Sequence, residues 1–521
     1  MNEDVELRGP VSTPPPAMRL RDVVAEIPGA VIHGDDPRAG EVVVSGVHHD
    51  SRAVAPGDLF VARRGAAKDG LSFVADAVER GALAVLLDRS SLERTPEVSR
   101  GVPLVLTDDV PLGLALASAA VYGHPTFGLE VVGITGTNGK TTVLHLVEAV
   151  LRGASMRPGV IGTLGARFES FETVSGFTSP EADELARLAR RMRDRGASHL
   201  VMEVSSIALA AKRCDGVRFR AAIFTNLTQD HLDYHGTMEA YAAAKARLFT
   251  DYAPGAAILN VDDPAGAALV GRIPSGTRTV TYSKTDPSAS VHATEIRSTP
   301  KGVTLSLVAE GVPAVVESTL LGTHNAENLL ATVGLGVALD LPLAAVTAAL
   351  SRPIAVPGRL TRCDDPASDD VVVVVDYAHT PDALSRVLTS LRPFAAGGLT
   401  CVFGCGGDRD RAKRPIMGEV VGRLADKAIL TNDNPRSERP EDIASAVLEG
   451  LRGAPCEVRV ELDRRAAIRA AVSEARPGGV VLVAGKGHEP YQIVGAETLP
   501  FDDRLESVDA LRERRLSRSE T

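Results

Sequence analysis

The segment from Val131 to Thr142 reads VVGITGTNGKTT: apolar residues, then Gly136, Thr137, Asn138 and Gly139, then Lys140, Thr141 and Thr142. Glycines so placed let backbone N–H groups close on a phosphate chain, and a helix starting behind them adds its positive end. Lys140 supplies a cation for outer phosphates, and the Thr141 hydroxyl can ligate Mg2+. The fit to the general phosphate-loop pattern is imperfect, because Ile134 stands where an earlier glycine is expected. A chance glycine-rich turn is the competing reading. Against it stand the apolar strand before the loop and the helix pattern after it, with Val143, Leu146, Val147, Val150 and Leu151 on one face.

Three further segments supply chemistry to the same region. LVMEVSS (200–206) reads as a strand ending in the acid Glu203. TNLTQDHLDYH (225–235) places His231 just past another strand, and Lys245 sits in the helical stretch AYAAAKARLF. A Glu and a His on neighbouring strand ends suit a divalent ion that bridges ATP oxygens. His231 alone would read as a structural histidine. Nearer the C-terminus, four strand candidates end in DYAHTPD, GCGGDRDR, NDNPR and AGKGHE. Every strand must end in a turn, but four such Arg-, Asp- or Gly-rich ends point to one composite site beyond a parallel sheet.

The elements that must hold these residues read as α/β throughout. With 521 residues the chain has room for several domains. Residues 1–17 include VSTPPPA without periodicity and read as a flexible extension, with Met18 an alternative start. Residues 18–125 form a small α/β domain with apolar runs at Glu41–Val47 and Ala82–Leu87. Residues 126–352 alternate strand candidates (Val131–Ile134, Leu200–Val204, Ala221–Phe224, Ala256–Leu259) with helical patterns, as a largely parallel sheet requires. Residues 353–521 repeat the theme, with Val371–Val375 a strand buried on both faces, followed by Cys401–Phe403, Ala428–Thr431 and Val480–Val483.

Net charge of -10 argues against a dedicated nucleic-acid binder. No apolar run is long enough to span a bilayer, and the acidic start MNEDVELRGP does not resemble a secretory signal, so the expectation is cytoplasmic. The five cysteines form no framework; Cys401 and Cys405 are close but read as small buried residues rather than a metal site.

Together these segments resemble a family, the Mur ligases, which build the peptide of the bacterial cell-wall precursor. The resemblance runs from Met18 onward and rests on TGTNGKTT (135–142), MEVSS (202–206), TNLTQDHLDYHG (225–236), the Lys245 helix, GTHNAENLLA (322–331), DYAHTPD (376–382) and GKGHE (485–489). DSRAVAPGDLFVA (50–62), GGDRDRAKRP (406–415) and DNPR (433–436) resemble the member adding diaminopimelate to UDP-N-acetylmuramoyl-L-alanyl-D-glutamate. The fold implied has three domains: a small N-terminal α/β domain for the UDP substrate, a central ATPase-like parallel sheet, and a C-terminal Rossmann-like domain for the amino acid.

The resemblance also implies roles. Gly136–Thr142, Asn325, Arg359 and Asp376 would place ATP. Thr141, Glu203 and His231 would serve Mg2+, and Lys245 would be carbamylated. Ser51 would contact the uridine nucleotide; Thr178, Ser179, Ser205 and Arg213 the muramoyl-dipeptide. Arg409, Asp433, Asn434, Pro435, Arg436, Gly485 and Glu489 would bind diaminopimelate. A bidentate guanidinium at Arg436 suits its distal carboxylate, and acids such as Asp433 and Glu489 suit an ammonium. Departures from the family pattern fall at Ile207, Ala211, Phe177 and Ala66-Ala67-Lys68. The expected partners are small molecules acting on a monomer, with a mobile hinge near Pro353–Gly358. Rival readings are a lysine-adding or folylpolyglutamate synthase-like ligase, an ATP-driven switch, and a nucleotide-binding structural protein.

Overall fold

In the computed structural model the chain is described at residues 17–34, 36–65, 69–95, 101–173, 178–299 and 301–519. Phe177 and Ala66-Ala67-Lys68 therefore lie outside the described residues.

Three large sheets succeed one another along the described residues, each covered on both faces by its own apolar clusters. The first has five strands in the order Val31–His33, Leu104–Thr107, Ala84–Asp88, Asp58–Ala62, Gly46–His48, parallel except at the first. The apolar run Glu41–Val47 is not one strand, as its hydrophobicity suggests. It breaks into Val43–Val44, paired antiparallel with Met18–Arg19, and Gly46–His48, paired parallel with Asp58–Ala62. Ser45 turns the chain between them, its amide donating to Gly57 O.

The second sheet has eleven strands, with Glu130–Thr135 between His199–Glu203 and Phe219–Phe224. Its centre, from Pro158–Gly162 through Arg278–Ser283, is parallel. The flanks are antiparallel hairpins, Gly165–Phe168 with Phe171–Thr173 at one edge and Val291–Thr299, Gly302–Ala309 and Val312–Ser318 at the other. The helix Lys140–Gly153 buries Val143, Leu146, Val147, Val150 and Leu151 in one cluster against the sheet, the face its spacing indicates.

The third sheet runs Thr361–Arg362, Val372–Asp376, Val480–Ala484, Leu399–Phe403, Lys427–Leu430, Glu457–Val460, parallel after its first pair. Val373, Val374 and Val375 are fully buried, alternating between the two clusters of this sheet. Cys401 and Cys405 are buried too; Cys405 lies 3.5 Å from the Met417 sulfur, and burial pushes its thiol up to about 12. Among the described residues no helix is long and apolar enough to cross a membrane.

Candidate active site

The register of the second sheet brings the chemistry together. Glu203 pairs with Ile134, and Phe224 with Thr135, so both neighbouring strands end beside the phosphate loop. Gly136 has φ +144°, and a Cβ there would stand 1.9 Å from Thr225 Oγ1. Gly139 has φ +88°, and its Cβ would stand 2.5 Å from Asn328 Oδ1. Both glycines are thus demanded by conformation and by close approach. The Thr137 amide donates to Asn226 O (2.8 Å) and the Asn138 amide to Asn226 Oδ1 (2.9 Å), fixing the turn. Lys140 Nζ donates to Gly136 O (3.0 Å) and Thr137 O (2.8 Å), and burial pushes its ammonium down against the pull of Glu203 and Asp230.

Thr141 Oγ1 donates to Glu203 Oε1 at 3.0 Å. Glu203, 1% exposed, also accepts from the Thr163 amide (3.0 Å) and the Thr163 hydroxyl (3.1 Å). His231 and Asp230 line the same cavity as Thr141 and Glu203. His231 is half exposed, with positive φ at the start of the helix Leu232–His235. Burial pushes it down, opposed by Asp230 and aided by Lys140 and Lys245. Among the described residues no three His, Cys, Asp or Glu side chains cluster as a self-sufficient metal cage. Mg2+ characteristically takes one or two carboxylates and fills its octahedron with water and substrate phosphate. One carboxylate and one hydroxyl beside a phosphate loop fit that requirement.

Lys245 projects from the helix Met238–Thr250 and is 2% exposed. Its Nζ donates to Gly136 O (2.8 Å) and lies 4.5 Å from the Tyr241 ring centroid. Burial, with Lys140 nearby, holds its ammonium well below the usual lysine range. Tyr241 in turn bonds Thr137 Oγ1 at 3.1 Å.

The third sheet closes the cavity from the opposite side. Arg359 Nη2 donates to Thr141 Oγ1 (3.2 Å), and its guanidinium lies 4.8 Å from the Tyr377 ring centroid. Asp376, at the end of Val372–Asp376, accepts from the Leu360 amide (2.7 Å) and the Ala378 amide (2.8 Å). It therefore braces the loop that carries Arg359; burial raises its pKa and Arg359 opposes the rise. Asn325 Nδ2 donates to Leu321 O (2.7 Å), and Asn325 Oδ1 accepts from Asn328 (2.7 Å). Asn138, Gly139, Thr142, Asn325, Arg359 and Asp376 line one cleft. Asn138 Nδ2 also donates to Asp382 Oδ2 (2.8 Å) across this cleft.

Thr178, Ser179, Ser205 and Arg213 form a connected group. Ser179 Oγ donates to Glu203 O (2.9 Å) and accepts from the Ser205 amide (3.0 Å); Arg213 Nη1 donates to Ser179 O (3.0 Å). Thr178 and Thr163 hydroxyls meet at 3.2 Å. Arg213 pairs with Glu181 (2.6 Å), which Arg63 from the first sheet holds through both oxygens (2.8 and 3.0 Å). Ser51 is not part of this group: it is buried in the first region, where its hydroxyl bonds Asp76. Ile207 and Ala211 stand on the short helix Ser206–Ala210 and at its end.

The third sheet carries the remaining set beyond its strand ends. Asn434 Nδ2 donates to Glu489 Oε2 (3.0 Å), and Asn434 Oδ1 accepts from the Ile493 amide (3.0 Å). Gly485 has φ +118°, and a Cβ there would stand 2.5 Å from Asp433 Oδ2. Arg436 has φ +52°; its Nη1 donates to Gly407 O (2.8 Å) and its amide to Ile493 O (3.1 Å). Pro435 O sits where a Cβ on Gly407 would be, 1.9 Å away. Arg409 stays on the surface, touching only Asp408 O at 3.5 Å in its described contacts. Sequence reasoning assigned no role to Asn328, Asp382, Tyr377 or Lys486, although each lies inside a quoted motif. Thr163 and Glu181 carried no motif at all.

Comparison with known proteins adds the following. Three family profiles match: Mur ligase family, catalytic domain (43–119); Mur ligase middle domain (134–336); and Mur ligase, glutamate ligase domain (358–487). A UDP-N-acetylmuramoyl-L-alanyl-D-glutamate–2,6-diaminopimelate ligase of Synechococcus elongatus is 44% identical over 500 residues, covering 95% of this chain and 99% of the relative. One of the same name from Geobacter metallireducens is 45% identical over 493 residues, covering 90% and 94%. A solved structure of that name is 32% identical with a TM-score of 0.68, covering 96% of this chain and 99% of the other.

Proposed function

The chain belongs to the Mur ligase family, and from that premise we propose that it adds diaminopimelate to UDP-N-acetylmuramoyl-L-alanyl-D-glutamate at the expense of ATP. The observation that carries the reading is the meeting of three residues at one phosphate-side point: Thr141 from the loop, Glu203 from the next strand, and Arg359 from the third sheet. At such a point, shared by two domains, Arg359 can neutralise charge on a transferring phosphoryl group, while the Glu203 carboxylate and the Thr141 hydroxyl suit a divalent cation beside it.

In the proposed reaction the side-chain carboxylate of the substrate glutamate attacks the γ-phosphorus, and ADP leaves. The acyl phosphate is then attacked by an amine of diaminopimelate, and inorganic phosphate leaves with the carbonyl restored. Phosphorylation is needed because a carboxylate has no leaving group an amine can displace. Backbone N–H groups at Gly136–Thr142 and the Lys140 ammonium hold the phosphate chain, while Arg359 draws charge from it. Asn325 and Asp376 shape the nucleotide cleft, Asp376 by bracing the Arg359 loop. Thr141, Glu203 and His231 are the residues that would hold Mg2+, which would supply further charge neutralisation. The low ammonium pKa of Lys245 favours a neutral amine, the form that adds CO2 with loss of a proton, and the carbamate would place an anion near Lys140.

Thr178, Ser179, Ser205 and Arg213 take the muramoyl-dipeptide, with Ser51 at the uridine end. Arg436, Asp433, Asn434, Pro435, Gly485 and Glu489 take diaminopimelate, with Arg409 reaching in from the surface. On this reading residues 18–125, 126–352 and 353–521 are the UDP-substrate, ATP and amino-acid domains. The nucleotide substrates suit a cytoplasmic enzyme, and no step requires a second copy of the chain. Phosphate release measured with UDP-muramoyl-dipeptide and meso-diaminopimelate tests the reading: turnover requires both. ATP hydrolysis independent of the amine would instead mark a switch.

A further inference from the structure

Ser51 lies in the first region of the chain, while Ser179, Ser205 and Arg213 lie in the second. One short segment joins the two groups. Ser179 to Asp183 leads into the helix Ala182–Asp194, and its acids Glu181 and Asp183 are only 4% and 3% exposed. Glu181 accepts from Arg63 Nη1 (2.8 Å) and Nη2 (3.0 Å), a bidentate pair between the two regions, and it also pairs with Arg213 Nη2 (2.6 Å). Asp183 meets His49 Nδ1 with both oxygens at 2.9 Å. Ala182, between the two acids, packs in an apolar cluster of the first sheet with Leu114 and Val121.

The partners of these acids sit beside the ligand-facing residues on both sides. His49 follows the strand Gly46–His48 and precedes Asp50-Ser51, and Arg63 follows the strand Asp58–Ala62. On the other side, Arg213 Nη1 donates to Ser179 O (3.0 Å) while its Nη2 is held by Glu181. A bidentate guanidinium–carboxylate pair fixes direction as well as distance. Two such clasps, two residues apart, therefore set the separation of Ser51 from Ser179 and Arg213.

Resting on the ligase reading, we propose that Glu181 and Asp183 are positioning residues that lock the uridine-binding segment to the muramoyl-binding segment, so that one substrate is held by both ends at once. Neither acid has to touch the substrate. Once one end is bound, the other meets its site at a high effective concentration, and that gain is lost when the link between the sites loosens.

The test titrates UDP alone and UDP-N-acetylmuramoyl-L-alanyl-D-glutamate into the full chain by calorimetry, with a non-hydrolysable ATP analogue present. Arg63→Met leaves Glu181 paired with Arg213; it weakens binding of the intact substrate about tenfold and leaves UDP binding unchanged. In turnover, KM for that substrate rises by the same factor, while kcat and the KM for ATP do not move. Arg63→Lys keeps the charge without the fork and recovers part of the loss. His49→Gln loosens the second clasp and gives the same split; it decides the matter if Arg63→Met fails to fold. An equal loss for UDP alone would put the altered side chain on the ligand itself and overturn the proposal. Unchanged binding of the intact substrate, or KM values that rise together, would overturn it too. Failure of the ligase reading is distinct: the unaltered chain would then bind the intact substrate no more tightly than UDP.

Discussion

Asp382 is, with Arg359, one of the residues through which the third region grips the phosphate loop, and removing it should loosen the closed arrangement without unfolding either part. Its Oδ2 accepts from Asn138 Nδ2 (2.8 Å) and from Thr228 Oγ1 (3.4 Å), both across the cleft. Within its own helix it accepts from Arg386 Nε (2.9 Å), but Arg386 also reaches Glu327 (3.3 Å), so Asp382→Ala leaves that guanidinium paired. A hydrogen bond to a charged group is worth about 1.5–3 kcal/mol. Asp382 is 30% exposed, and the Thr228 contact is long. Solvent screening therefore brings the cross-cleft total down to about 1–1.5 kcal/mol, a factor of about 5–10 in the open–closed equilibrium.

Two measurements read that factor. At saturating substrates, kcat of Asp382→Ala falls about 5–10-fold if closure brings the amine to the acyl phosphate. Small-angle scattering of the ATP-bound variant shows a larger radius of gyration than the unaltered chain. The thermal midpoint moves little, because the bonds lost lie between units rather than inside a core. A kcat within twofold of the parent, with identical scattering, would refute both the latch and a hinge near Pro353–Gly358.

Other perturbations follow from the same geometry. Lys245 has a folded-state pKa below its unfolded value, so between the two the unfolded chain holds more protons and burial of the amine costs stability that shrinks as pH rises. Lys245→Met should therefore abolish turnover yet raise the melting temperature near neutral pH; retained turnover would exclude a role in the reaction. His49 lies 2.9 Å from both Asp183 oxygens, and although burial lowers its pKa, the bond and charge of Asp183 raise it overall. Its contribution is full below the unfolded value of 6.5 and lost as pH rises through the folded one, so His49→Gln should flatten the fall in melting temperature from about pH 6 to 8. Gly136→Ala places a Cβ 1.9 Å from Thr225 Oγ1 at φ +144°, which should cost about 1–3 kcal/mol and abolish ATP binding by calorimetry.

Much of this was legible from the residues because the chemistry lies at strand ends, where sequence pattern and topology coincide. An apolar run closing on Glu203 identifies a strand and the acid at its end at once. The Val371–Val375 run identifies a strand buried on both faces, and DYAHTPD follows it directly. Glu41–Val47 shows the limit: hydrophobicity is continuous there, but the chain changes partners at Ser45, and pairing is a tertiary choice. Thr163 was illegible for a related reason. It meets Glu203 only because Pro158–Gly162 lies next to His199–Glu203 in the sheet, far from it in sequence.

The same limit explains why motif residues could be seen while their division of labour could not. Asp376 reads as an acid poised for a ligand, but both its oxygens are engaged by the amides of Leu360 and Ala378. It braces the loop that carries Arg359. Lys486 reads as one more cation in a glycine-rich turn, but burial removes the solvent that would screen it and leaves it sharing Glu489 with Asn434. In both cases the residue type is local information and the role is not. What decides the role is which of the two carboxylate oxygens remains free, and that depends on strands brought together from distant parts of the chain.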